Sequence, residues 1–234
     1  MIMTNKALIL FSGGQDSTTC LAWSLEKFDE VYTLGFDYGQ RHSIELECRK
    51  NILIQFKNLF SQWRNKIKND TLLDLRFYKE FSDNALTTEN EIKMMPSGLP
   101  STFVPGRNIV FLSIASSFAL SMNIENIVLG VCETDYSGYP DCRNNFIKSM
   151  NNSINLGTDK ELKILTPLMF LDKSQSWSLA YKLGHDKLIN LIIDETHSCY
   201  RGVRDIKYEW GYGCNNCFAC NIRSNGWSNY SNLS

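Results

Sequence analysis

A glycine-serine loop and a group of thiols are the two places where this sequence is built to do chemistry. The loop is Ser12-Gly13-Gly14-Gln15-Asp16-Ser17-Thr18-Thr19, set between an apolar run at 6–11 and a helix-compatible stretch through Cys20, Leu21, Ala22 and Leu25. Strand, glycine turn and helix start together make an anion-binding geometry. The glycines let backbone N–H groups approach a phosphate, the hydroxyls of Ser12, Ser17 and Thr18 can donate to its oxygens, and the helix N-terminus adds partial positive charge. No lysine follows the glycines, which argues against the loop whose lysine reaches the β- and γ-phosphates, and against ordinary γ-phosphoryl transfer. The bland alternative is a Gly-Gly turn in which Asp16 merely caps a helix.

The thiols are Cys214, Cys217 and Cys220 at three-residue spacing, with Cys199 fifteen positions before the first of them. Four thiolates brought together when the chain doubles back through Gly202 and Gly213 favour tetrahedral Zn²⁺. A ferredoxin-type cluster is the rival. Its fourth cysteine normally comes three residues later and precedes a proline, whereas Asn221-Ile222-Arg223 follows here. With all four ligands from the protein, one Zn²⁺ per chain is expected to be structural rather than catalytic. The other four of the eight cysteines, Cys20, Cys48, Cys132 and Cys142, are scattered. The run at 6–11 is too short for a signal peptide or membrane span, so a cytoplasmic location is expected, with thiols reduced or metal-bound rather than paired in disulfides.

These residues need elements to hold them. Apolar, β-rich runs recur at 6–11, 31–36, 72–78, 126–131 and 162–165, mostly with helix-compatible stretches between them. That alternation predicts an α/β fold: a doubly wound parallel sheet of about five strands, buried on both faces by helices, with ligands beyond the strands' C-terminal ends. The segment 82–106 reads as a long loop, and Asn108 as the cap of a helix through 109–122. The basic stretch 64–68 reads as a solvated helix face. Beyond residue 185 the alternation fades, which suggests a nucleotide-handling domain at 1–185 and a cysteine-bound subdomain at 186–234. The chain has 234 residues, 43% of them hydrophobic, and a formal net charge of -1. That supports one substantial core and gives no overall positive field to draw the protein onto nucleic acid or a membrane.

The string Ser12-Gly13-Gly14-Gln15-Asp16-Ser17 resembles the S-G-G-x-D-S pyrophosphate loop of the ATP pyrophosphatase superfamily, whose members cleave ATP to AMP and pyrophosphate while adenylating a substrate oxygen. Further segments resemble the 7-cyano-7-deazaguanine synthase (QueC) family of the queuosine pathway: Asp37-Tyr38-Gly39-Gln40-Arg41-His42, Val104-Pro105-Gly106-Arg107-Asn108, Asp135-Tyr136-Ser137-Gly138-Tyr139-Pro140-Asp141-Cys142-Arg143, Thr166-Pro167-Leu168 with Lys173 downstream, and Ser198-Cys199-Tyr200 with the closing cysteines. The likeness spans roughly 7–227. Two details depart from the pattern, Asn215 where glycine is commoner and Trp227 where phenylalanine is usual, and neither removes a ligand.

The resemblance implies an ATP-dependent C–N ligase that converts 7-carboxy-7-deazaguanine and ammonia into 7-cyano-7-deazaguanine through adenylated carboxylate and amide intermediates. It implies ATP and Mg²⁺ on the loop residues Phe11, Ser12, Gly13, Gly14, Gln15, Asp16, Ser17, Thr18, Thr19, Cys20 and Leu21. Asp16, Arg107 and Lys173 become catalytic candidates, with Asp16 orienting metal or loop and the two cations neutralising triphosphate or carboxylate. Asp135, Tyr139, Asp141 and Arg143 become candidates for binding the deazapurine, one of the two aspartates accepting from its N1–H and amino group. A homodimer is expected from the family. The rival enzyme reading is a tRNA-thiolating relative with the same loop. The rival binding reading is a zinc knuckle stacking nucleobases on Trp210, Phe218 and Trp227.

Overall fold

Residues 4–40, 44–81, 95–96, 101–134 and 139–232 are described by the computed structural model. Five parallel strands form one sheet: β1 (Lys6–Leu10), β2 (Glu30–Asp37), β3 (Ile67–Asp74), β4 (Asn126–Val128) and β5 (Lys163–Leu165), in the order β3-β2-β1-β4-β5. The five-stranded parallel sheet expected from the apolar runs is therefore present. Because β1 lies in the middle and the chain leaves it first to one side and later to the other, the C-terminal ends of β1 and β4 make a topological switch point, where a crevice must open.

Both faces of the sheet are covered. Successive side chains of β1 point to opposite sides, so Ala7 and Ile9 join one core and Leu8 and Leu10 the other. The first core is filled by α1 (Gln15–Lys27), α2 (Ile44–Leu59) and α5 (Lys173–Glu195), through residues such as Leu21, Ile52, Phe56, Trp177 and Ile192. The second is filled by α3 (Arg107–Ser121) and α4 (Asn144–Thr158), through Leu112, Ala115 and Ile147.

Three local expectations are corrected. The third strand is Ile67–Asp74 rather than 72–78, and a 3₁₀ turn occupies Arg76–Phe81. As an edge strand paired only with β2, β3 alternates between partly covered and exposed positions and does not need an apolar run. Its Asp70 is held by the buried Arg49 guanidinium, with Nη1 to Oδ2 at 2.8 Å. The basic stretch is a turn leading into that strand, with Lys66 Nζ donating to the carbonyl of Leu25 at 2.7 Å. Asn108 sits inside α3 rather than capping it. Gly106, with φ 73°, ends the preceding turn, and the cap comes from far away: Asp141 Oδ2 accepts from the Asn108 backbone N–H at 3.2 Å, while Asn108 Nδ2 donates to the Asp141 carbonyl at 3.1 Å. A first-turn N–H lacks an intrahelical acceptor, so a buried carboxylate satisfies it well.

The expected boundary at 185/186 falls within α5, at a break where His185 takes φ 51° and ψ −154°. Leu188, Ile189 and Ile192 beyond the break still belong to the core shared with β1. A small hairpin, β6 (Lys207–Tyr208) with β7 (Gly211–Tyr212), and α6 (Phe218–Ser231) complete the chain. The Trp177 and Trp227 rings meet edge-on at 5.0 Å where α6 lies on α5.

Candidate active site

The glycine loop is shaped from behind. Gly13 has φ 94°, and a Cβ there would stand 2.7 Å from the Glu45 carbonyl oxygen and 2.9 Å from the Arg49 nitrogen, so the start of α2 presses directly on the loop and only glycine fits. Ser17 Oγ accepts from the Gly13 N–H at 3.2 Å and donates to the Gly14 carbonyl at 3.1 Å, and Ser12 Oγ accepts from the Gly14 N–H at 3.3 Å. The loop is thus fixed before any ligand arrives. Helix α1 starts straight after Gly14 with no side-chain cap, which leaves its first N–H groups aimed at whatever sits in front. Gln15, 3% exposed, has an Nε2 with no partner among the described residues, a buried donor that a phosphate oxygen would satisfy.

Opposite the loop stands Lys173, the first residue of α5, placed by a full capping box between Asp172 and Gln175. Its Nζ lies 2.9 and 2.8 Å from the two carboxylate oxygens of Asp16. The stem of Lys173 is pinned from the other side by α6, where a Cβ on Gly226 would come within 2.5 Å of Lys173 Cγ.

The loop and this pair form one end of a cavity of about 360 Å³ at the switch point, within the size range of small-molecule sites. Its other end is lined by Phe36, Tyr38, Glu45, Arg107, Phe111, Tyr139 and Tyr200. Phe36 and Phe111 stack at 4.2 Å, and Tyr38 lies tilted against Phe111 at 5.6 Å, so this end has an aromatic wall. The Arg107 guanidinium sits 5.9 Å from the Tyr38 ring centre. Burial works against its charge, but Tyr38, Tyr139, Asp141 and Cys142 around it raise its pKa above the ordinary arginine value. Glu45, by contrast, is pushed up to about 7 by burial, with Arg107 partly offsetting the rise.

Of the residues singled out in the sequence, Phe11, Ser12, Gly14, Gln15, Asp16, Ser17, Arg107, Tyr139 and Lys173 are brought together on one cavity. Other expected residues are not in its lining. Gly13 backs the loop, while Thr18, Thr19, Cys20 and Leu21 have turned with the helix into the protein interior, each 0% exposed. Asp141 is buried against Asn108, and Arg143 is exposed at the start of α4. Asp135, like Arg41 and His42, lies outside the described residues. The sequence reading passed over Glu45, His197, Tyr200 and Arg223 as site residues. Glu45 looks like any acidic residue in a first helical turn, and the other three become site residues only through tertiary packing.

The expected metal ligands do meet. Ligand atoms of Cys199, Cys214, Cys217 and Cys220 all lie within 4.8 Å of one another, and the Cys214 and Cys220 sulfurs are 4.0 Å apart. Tetrahedral ligation at about 2.3 Å needs sulfurs about 3.8 Å apart, so the set fits a thiolate-bound ion. Gly213 makes this possible, since a Cβ there would meet the Cys220 sulfur at 2.6 Å. This cluster is joined to the loop. The His197 N–H donates to the Gly13 carbonyl at 3.3 Å, and its ring Nε2 pairs with the Cys199 carbonyl at 3.1 Å. The buried Arg223 of α6 donates to the carbonyls of Trp210 and Ile192, each at 2.9 Å, and to Ser198 Oγ at 3.3 Å.

The family model described as "Queuosine biosynthesis protein QueC" matches residues 6–231. The chain is 52% identical over 229 residues to a 7-cyano-7-deazaguanine synthase of Gluconobacter oxydans, covering 98% of this chain and 95% of that one. It is 49% identical over 225 residues to the enzyme of the same name from Bordetella pertussis, covering 96% and 92%. Among solved structures, a 4-thiouridine synthetase–RNA complex with bound ATP aligns with a TM-score of 0.53 at 14% identity, covering 98% of this chain and 51% of that one, a likeness of fold alone. Among the described residues no helix is long and apolar enough to cross a membrane.

Proposed function

The chain belongs to the queuosine biosynthesis protein QueC family, and from that premise we propose how its cavity makes 7-cyano-7-deazaguanine from 7-carboxy-7-deazaguanine, ammonia and ATP. The observation that carries the reading is one cavity with a phosphate loop at one end and an aromatic wall with Arg107 at the other. A carboxylate oxygen of the base attacks the α-phosphorus of ATP, and pyrophosphate leaves. Ammonia then attacks the acyl carbon, the nitrogen loses a proton, AMP departs and the amide remains. The amide oxygen attacks a second ATP in the same way, and loss of AMP with the remaining N–H protons leaves the nitrile.

The protein's part is positioning and charge. Gln15, the Ser12 hydroxyl and the first N–H groups of α1 hold the leaving pyrophosphate, Ser17 keeps the loop in shape through Gly13 and Gly14, and Lys173 stabilises the charge that builds on the transferring phosphate. Asp16 keeps Lys173 aimed. Mg²⁺ on the triphosphate would neutralise further charge, and Asp16 fits it, because a carboxylate has about four lone-pair sites and Lys173 takes two of them. The four thiolates are those of a structural Zn²⁺ site, a crosslink that holds Cys199 to the start of α6. The aromatic end takes a free base, and the partners are small molecules rather than nucleic acid.

The test is to incubate the protein with ATP, Mg²⁺, ammonium and 7-carboxy-7-deazaguanine and follow bases and nucleotides by mass spectrometry. Nitrile formed together with AMP is expected. ATP cleavage without nitrile would retain the loop chemistry and overturn the substrate.

A further inference from the structure

Resting on that reading, the base still needs a partner for its hydrogen-bonding edge. Asp141, which the sequence offered, has one carboxylate oxygen on the Asn108 N–H and does not line the cavity. Glu45 does line it, and is half-buried in the first turn of α2. The backbone of Glu45 is fixed, because its carbonyl packs against Gly13 so closely that no Cβ fits between them. Among the described residues its carboxylate makes no hydrogen bond and no ion pair within 4.0 Å, although Arg107 is near enough to pull on its proton. A partly desolvated carboxylate to which none of the described residues donates is set to gain from a ligand that supplies donors. Beside it the stacked Phe36 and Phe111 rings, with Tyr38, offer a flat ring a face to lie on.

We propose that Glu45 reads the deazaguanine: its two carboxylate oxygens accept the N1–H and one N–H of the exocyclic amino group while the ring lies along the Phe36–Tyr38–Phe111 wall. Two adjacent N–H donors are what a carboxylate satisfies with both oxygens. Adenine presents one amino group flanked by ring-nitrogen lone pairs, which would repel the second oxygen. Glu45 therefore favours the base over the nucleotide, and it excludes purines that lack the amino group.

The experiment compares wild type and Glu45→Gln on 7-carboxy-7-deazaguanine and on the analogue without the 2-amino group. Each substrate is assayed with ATP varied and with base varied, and the binding of each base is measured by calorimetry in the absence of ATP. Wild type should prefer the amino-bearing acid by about 100-fold in kcat/KM, the loss expected when one hydrogen bond to a charged group goes unmade. Glu45→Gln should lose about 100-fold on that acid, prefer it by less than about tenfold, and keep its KM for ATP. The calorimetric affinities should follow the same order. A Glu45→Gln enzyme that still discriminates as wild type does overturns the inference, and so does one whose KM for ATP rises while discrimination persists. Failure of the wild type itself to convert the acid would instead defeat the functional reading beneath it.

Discussion

Gly226 gives the sharpest test of how the cysteine-bearing segment serves the phosphate loop. A Cβ at this buried position would stand 2.5 Å from Lys173 Cγ, 2.6 Å from Lys173 Cβ and 3.0 Å from its backbone carbonyl carbon. Carbon atoms in contact prefer about 3.5–4.0 Å, so Gly226→Ala forces α6 and the first turn of α5 apart by about 1 Å. Overpacking of this kind costs about 1–3 kcal/mol, and the better helix propensity of alanine returns up to about 1 kcal/mol, so the net loss of stability is about 0–3 kcal/mol. Catalysis should suffer far more. Lys173 Nζ is 2.8–2.9 Å from Asp16, and a 1 Å misplacement of such a group can cost about 100-fold. The measurements are AMP release under saturating substrates, metal content per chain and a thermal melt. A folded, metal-loaded Gly226→Ala protein with kcat down by about 100-fold is expected. Gly157→Ala is the control: nothing lies within 4 Å of its added Cβ at an exposed position of α4, so it should raise stability by up to about 1 kcal/mol and leave kcat unchanged. Wild-type turnover by Gly226→Ala would refute the idea that α6 positions Lys173.

Replacing Lys173 by methionine removes the cation but keeps the stem, and should cut AMP formation by at least about 100-fold while the melting temperature moves by only a few degrees. Stripping metal with a chelator of soft ions should loosen the His197–Gly13 contact as the four thiols separate, so that ATP binding by calorimetry weakens together with the loss of metal; undiminished ATP binding by metal-free protein would show the two to be independent. Glu45 makes the stability of the protein sensitive to pH. Its carboxyl is raised from 4.5 to about 7 in the fold, so the folded state holds that proton more tightly, and the stabilisation is complete below pH 4.5 and lost as pH rises through 7. Wild-type stability measured in urea should accordingly fall by about 1–3 kcal/mol relative to Glu45→Gln between those limits.

Much of the fold could be read from the chain because its signals are local. The runs at 6–11 and 31–36 belong to β1 and β2, interior strands of the sheet, where continuous apolar residues are required. The third run misled because β3 is an edge strand that tolerates Lys68, Asn69 and Asp70, while the apolar residues downstream enter a 3₁₀ turn. The exposed half of such a strand carries no apolar signature to count. The four thiols were equally legible, since three of them fall within seven consecutive residues and ligand spacing is a sequence property.

The site divides along the same line. Its loop end is, apart from Lys173, one contiguous string, Phe11 to Ser17, whose residue types state their own chemistry, and the family resemblance drawn from it and from the other motifs is borne out by the near full-length relatives. The aromatic end is assembled from the first turns of α2 and α3, the end of β2 and the segment after α5, so no spacing announces it. Asp141 and Glu45 make the difference concrete. Asp141 lies in a motif of chemically suggestive residues, yet it faces the backbone of Asn108, because a helix start buried 33 positions away in sequence needed an acceptor. Glu45 sits in an ordinary-looking amphipathic helix, yet the contact of its carbonyl with Gly13 sets that helix turn against the phosphate loop, with its side chain in the cavity wall. Which carboxylate can meet a ligand was decided by which backbone N–H groups had already claimed the other, and that competition exists only once the chain has folded.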